Sequence, residues 1–160
     1  MSRKRFDAIQ PWLSLAVRVS MAVIMLWAGF AKMADLAASR RAVRAYDLVP
    51  ETFVPLIGNG LPFVEIAMGV VLFVGLFTRW SAFAYLALLG AFLIGLFWAW
   101  GNGLQIDCGC FGGGGDLEFG QTADYWGHLW ERVGFVALGL WLAIFPRSVL
   151  SADRFLRISQ

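Results

Sequence analysis

Two cysteines stand one residue apart in Asp107-Cys108-Gly109-Cys110-Phe111-Gly112, and the chain of 160 residues holds no others. Two thiols at this spacing can close a small disulfide ring, with Gly109 supplying the backbone freedom that tight closure requires. A ring so short is strained, and strained disulfides are the more oxidising and labile ones. As a staple it would constrain almost no chain. Cys108 and Cys110 are therefore suited to cycle between dithiol and disulfide. The glycine run Gly112 to Gly115 that follows would let the loop move toward a partner. With a single pair, no relay between two pairs inside the chain is available. Electrons must pass to a partner protein, a quinone or a small thiol. Soft thiolates also select Cu(I) or zinc. Two thiolates alone leave a zinc site incomplete, and the only histidine, His128, reads as an interfacial residue on a helix face rather than a ligand. No metal is assigned.

Four further ionisable residues, Lys32, Glu65, Glu131 and Arg132, fall within or at the ends of apolar runs. Ionisable groups in a membrane span are expensive and face the bundle interior or a partner. Counted from the same side as the cysteine loop, Glu65 and Arg132 lie about 10 Å deep. Lys32 ends the first run on that side, and Glu131 adjoins Arg132. The four can form a paired cluster beneath the loop. A nearby cation lowers a thiol pKa, so such a cluster would tune thiolate formation, with Glu65 as a proton carrier. The plainer reading is an ion-paired clamp between helices. Arg18 has no acid at matching depth, and snorkelling toward the headgroups is its simplest account.

The elements that would hold these residues are membrane spans. The chain is 59% hydrophobic and 15% charged, whereas soluble domains carry about 25% charged residues. A span needs about 20 mainly apolar residues. Four stretches qualify, at about 11–33, 57–78, 80–100 and 126–146, with a redox loop over 101–124, in one membrane domain over residues 1–160. Arg3-Lys4-Arg5 before an apolar run imitates a secretory signal, but the run is too long for one and reads as a retained span. Pro11 suits the first turn of that helix. Residues 35–47 alternate charged and apolar positions, as expected of a short amphipathic helix between spans 1 and 2. Arg79 is expected in a very short turn. Ala87, Ala91 and Gly95 recur every four residues and predict a close helix approach. The fold class is all-α, an integral membrane four-helix bundle. The basic residues are scattered near the ends of apolar runs and point to no nucleic acid.

Arg3, Lys4, Arg5, Arg79, Arg147, Arg154 and Arg157 share one side, with Arg40, Arg41 and Arg44 dissenting on the other. The positive-inside rule then puts the termini in the cytoplasm. The cysteines face the oxidising side, where disulfides persist. Trp98, Trp100, Trp126 and Trp130 mark the outer interface.

Cys108-Gly109-Cys110-Phe111-Gly112 after a third span resembles the motif of the MauE branch of the DoxX-like membrane proteins. Arg18-Val19, Ala28-Gly29 with Lys32, Tyr46, Pro50, and Pro62 with Glu65 and Gly69 agree with it. The resemblance covers roughly residues 15 to 145. It implies a four-helix bundle in the bacterial inner membrane, concerned with thiol–disulfide chemistry outside the cytoplasm and with maturation of disulfide-containing proteins. It implies a thioredoxin-like extracytoplasmic partner besides membrane lipid, and some DoxX relatives couple to quinone. The long glycine run and the acidic loop have no assigned place in the family pattern. The leading expectation is a membrane thiol–disulfide redox protein. An assembly or scaffold factor with Cu(I)-binding or structural cysteines is the alternative, and a quinone-coupled oxidoreductase subunit the third. No fingerprint of a soluble cofactor is present, and no quinone pocket is legible.

Overall fold

A computed structural model describes residues 3–107, 109, 115–116 and 122–153, with side chains over 8–107, 109, 115 and 122–153. The apolar stretches are helical, as hydrocarbon demands when each backbone N–H and C=O must be satisfied within its own segment. The order is α1 (Arg3–Ala34), α2 (Leu36–Ala45), a 3-10 turn (Glu51–Phe53), α3 (Val54–Val74), α4 (Thr78–Gly101), β1 (Ile106–Asp107), β2 (Gly115–Asp116) and α5 (Tyr125–Ile144). The fold is all-α, apart from the two-residue ladder of β1 with β2. Among the described residues, three helices are long and apolar enough to cross a membrane: Ala8–Ala34, Glu51–Val74 and Thr78–Gly101. α5 is not among them; His128, Glu131 and Arg132 interrupt its first two turns. The core draws on all four long helices, with Met21, Ala22 and Met25 of α1, Leu72 of α3, Tyr85 and Leu89 of α4, and Leu142 of α5.

Glycines and a proline set how α1, α2 and α3 meet. A Cβ at Gly29 would lie 2.6 Å from Ile66 Cγ1, and one at Gly69 would lie 2.8 Å from Leu26 Cγ. Small residues at these points let α1 and α3 approach closely, the usual basis of helix contact in lipid. Pro62 sits inside α3 and has no N–H, so the Gly58 carbonyl loses its helical donor. Ser39 of α2 supplies the replacement, its hydroxyl donating to Gly58 O at 2.7 Å. Arg40 donates to Asn59 Oδ1 at 2.9 Å alongside. The kink-prone residue in α3 thus becomes the dock for α2. Asp35 caps α2 by accepting from Ala38 N at 2.9 Å, and the charged face of α2 carries Arg41 and Arg44, the latter paired with Glu51.

The opposite end of the bundle is tied by the C-terminal segment. α3 stops at Gly75, whose φ of 73° suits glycine alone without strain. Asp153 then accepts from Phe77 N at 2.6 Å and Thr78 N at 2.7 Å, capping α4 from a distant stretch of chain. Val149 N donates to Pro11 O at 3.3 Å.

Several expectations are corrected. Pro11 lies inside α1 rather than in its first turn, because the helix already begins at Arg3. The second and third spans run Glu51–Val74 and Thr78–Gly101, which moves Arg79 out of the turn and into the first turn of α4. Arg18 does not snorkel. It is 1% exposed, donates through Nη2 to Leu150 O at 2.9 Å, and feels the charge of Asp153. Ala87 and Ala91 are exposed, and what approaches Gly95 is the ring of Tyr46 rather than another long helix. Cys108, Cys110, Glu118, Arg154 and Arg157 lie outside the described residues.

Candidate functional site

Lys32 ends α1 and Glu65 lies midway along α3. Nζ meets the two carboxylate oxygens at 2.8 and 3.0 Å. Lys32 is 4% exposed and Glu65 1%. Glycines at 29 and 69 bring the helices close enough for this contact, and the last turn of α1 favours a cation. Nζ also sits 5.9 Å from the centroid of the Phe92 ring on α4, within cation–π range.

Arg132 of α5 is 2% exposed and acts electrostatically on Lys32, Tyr46 and Tyr85. Three of the four expected ionisable residues therefore converge. Glu131 does not join them. Its side chain is 40% exposed, 4.0 Å from His128 Nδ1, and its charge acts on Arg132. Adjacent helical residues point about 100° apart, so Arg132 can be buried while Glu131 turns to the exposed side.

Two tyrosines complete the cluster. Tyr85, buried in α4, carries an ordinary aromatic signal inside an apolar run and is not distinguishable in sequence from a core residue. Tyr46 caps the C-terminus of α2. Burial pushes the Tyr46 phenol up, against the opposing pull of Arg132, so it is a neutral hydroxyl at physiological pH.

The described parts of the loop that carries the cysteines border this cluster. β1 and β2 are antiparallel, with Ile106 opposite Asp116 and Asp107 opposite Gly115, so the ladder closes the stretch between them. Gly115 has φ 118°, and a Cβ there would lie 3.5 Å from Arg41 Cβ, so the ladder rests on α2. Tyr125 O–H donates to Leu104 O, and its ring stacks on Trp100 at 5.8 Å with the planes 4° apart. Ala123 N donates to Gln105 Oε1 at 3.1 Å. His128 Nε2 lies 4.0 Å from Asp107 Oδ1, beside the residue that precedes Cys108. Gly109, the residue between the two cysteines, is buried with φ 65°.

A cavity of about 330 Å³ lies among α2, α3 and α4, and its lining includes Lys32, Tyr46, Phe92, Gly95 and Gly109. The ion-paired lysine and the glycine between the cysteines thus share one space. Among the described residues, no group of three or more His, Cys, Asp or Glu side chains forms a metal cluster.

Residues 10–145 match the family model of MauE, described as methylamine utilisation protein MauE. No curated protein and no solved structure matches the chain.

Proposed function

The chain belongs to the MauE family, and we propose that it is a membrane thiol–disulfide redox protein whose Cys108–Cys110 pair exchanges with an extracytoplasmic thioredoxin-like or client protein. The observation that carries this reading is the setting of Gly109. It is held between the two cysteines and faces the same cavity as Lys32. Buried cations, Lys32 and Arg132, lie beneath a loop closed by its own ladder, and positive charge favours thiolate over thiol. In exchange, a thiolate of the pair attacks the partner's disulfide. The mixed disulfide is then resolved by the second cysteine, leaving the partner reduced and Cys108–Cys110 oxidised, or the reverse. Lys32–Glu65 would serve as a proton store beside the pair, and Arg132 as a fixed positive charge.

In this reading α5 is a fourth span, its polar first two turns lying at the membrane surface and its apolar remainder crossing. The chain sits in a bacterial inner membrane. Arg79 and Arg147 share the end of the bundle where α1 begins, and the positive-inside rule makes that end cytoplasmic. The cysteine loop is then extracytoplasmic, on the DoxX-like plan.

The experiment is differential alkylation of thiols in intact membranes, followed by mass spectrometry. A pair that is never found oxidised sinks the reading. A Cys108→Ser or Cys110→Ser variant is expected to trap a mixed disulfide with the partner.

One observation favours a second reading, an assembly factor with Cu(I) on the cysteines. His128 Nε2 lies 4.0 Å from Asp107 Oδ1, and Asp107 immediately precedes Cys108 in sequence. This reading requires purified protein to carry stoichiometric copper, and copper at trace level excludes it.

A further inference from the structure

The cavity among α2, α3 and α4 is not a closed core void. Leu48, Ile57 and Ala91 line it and are themselves exposed. α3 and α4 are long and apolar enough to cross a membrane, so the exposed sides of Ile57 and Ala91 face lipid. The mouth is therefore lateral and opens to the bilayer. Inside, the lining is mainly carbon, with Ala42 from α2 and Leu88 and Phe92 from α4. Two polar side chains that border it are already engaged. Lys32 holds both oxygens of Glu65, and Ser39 donates to the Gly58 carbonyl. Tyr46 brings its ring edge toward Gly95, where a Cβ would stand 3.4 Å from Cε1.

The space is about 330 Å³, and its lining runs along α4 from Leu88 to Gly95, a length of about 10 Å at the helical rise. A lining of this kind does not hold water, which needs two to four polar partners to stay in a cavity. A helix of a partner protein is too large, since a single turn about 10 Å across and 5.4 Å long fills roughly 400 Å³. An amphiphile that entered with a carboxylate first would set a second negative charge beside Glu65, and charge in hydrocarbon is costly unless paired. A hydrocarbon chain meets none of these objections, and hydrocarbon is what the bilayer presents at the mouth.

We infer that this cavity is a bound-lipid site. One acyl chain of a membrane phospholipid enters tail first between α3 and α4, past Ile57 and Ala91, and lies against Ala42, Leu88 and Phe92, while the headgroup stays outside. Burial of apolar surface holds the chain, and no cysteine takes part. Such a lipid differs from those that merely surround the spans, which reach outward side chains such as Phe63 and Ile94 but not the buried Ala42. The chain also backs α2, whose bonds to α3 through Ser39 and Arg40 otherwise secure a helix with empty space behind it.

The test places the full chain in nanodiscs of phosphatidylcholine that carries a photoreactive diazirine midway along one acyl chain, with the labelled residues mapped by mass spectrometry. Label is expected on Ala42, Leu88 and Phe92 as well as on Phe63 and Ile94. Ala91→Phe puts a ring into the mouth at an exposed position. It is expected to lose most of the label at Ala42, Leu88 and Phe92 and to keep it at Phe63, which also reports that the variant is folded in the bilayer. Ala87→Phe lies one turn away, is equally exposed and does not line the cavity, so its labelling is expected to match the parent throughout. Label confined to Phe63, Ile94 and other outward side chains means surrounding lipid only and overturns the inference. Label at Ala42 and Phe92 that Ala91→Phe leaves unchanged, or that Ala87→Phe removes equally, overturns the route through this mouth and the inference with it.

Discussion

Lys32 and Glu65 meet in a two-pronged ion pair at 2.8 and 3.0 Å, across the α1–α3 contact and almost wholly out of solvent. Removing one partner of a buried pair leaves the other charge uncompensated and costs about 3–5 kcal/mol, whereas replacing both with apolar groups is often close to neutral. Lys32→Met and Glu65→Leu are each expected to lower stability by that amount, and the double variant to recover most of it. Thermal unfolding in detergent, followed by circular dichroism, checks this. Losses that simply add would mean that the two residues are not coupled.

That pair exists because α1 and α3 come close. A Cβ at Gly29 would stand 2.6 Å from Ile66 Cγ1 and 2.9 Å from Pro62 O. Gly29→Ala is expected to destabilise by about 1–3 kcal/mol, the usual range for an overpacked contact. Gly90 is the control, since a Cβ there would meet nothing within 4 Å. Gly90→Ala is expected to be neutral or slightly stabilising, as alanine is the better helix former. Equal losses at both positions would rule out close packing as the reason for Gly29.

The depth of charge in apolar runs was legible, and so Lys32, Glu65 and Arg132 could be brought together from sequence alone. Depth does not fix azimuth, however, and Glu131 was grouped with them although it faces away beside His128. Arg18 could not be read correctly, because its acceptor, the Leu150 carbonyl, is 132 residues away and lies in a segment with no apolar periodicity. The Ala87, Ala91, Gly95 pattern identified a smooth face but not its neighbour. Two of its residues line a lipid-facing cavity instead of a helix seam. That cavity has no sequence signature, since it arises where Ser39 docks α2 onto the carbonyl released by Pro62.

Asp153 caps α4 through the amides of Phe77 and Thr78, at 2.6 and 2.7 Å. It also supplies negative charge near the buried Arg18. Loss of a helix cap costs about 0.5–2 kcal/mol, and Asp153→Ala is expected to reach the upper end because two donors are orphaned together. Hydrogen exchange at Phe77 and Thr78 should accelerate while Ala38, at the other end of the bundle, keeps its protection. Unchanged exchange at Phe77 and Thr78 would show that the cap contributes nothing.

The floor of the cavity depends on α2, and α2 depends on Asp35. The Ala38 N–H bond, and then the charge of Arg41, hold the Asp35 carboxyl below its usual range. The folded value is below the unfolded one, so the cap is fully present above the ordinary aspartate pKa of about 3.9 and is lost as pH falls through the lower folded value. Exchange at Ala38, corrected for the intrinsic effect of pH, is therefore expected to be slow near neutrality and to quicken in acid. Asp35→Asn keeps an acceptor at the cap without a titrating proton and should flatten that dependence. Glu51 is the other carboxyl to control, since its hydrogen bond and ion pair with Arg44 hold it low as well. A Glu51→Gln variant should keep the acid response at Ala38. If Glu51→Gln abolishes it and Asp35→Asn does not, the pH sensitivity of α2 belongs to its C-terminal ion pair and not to its cap.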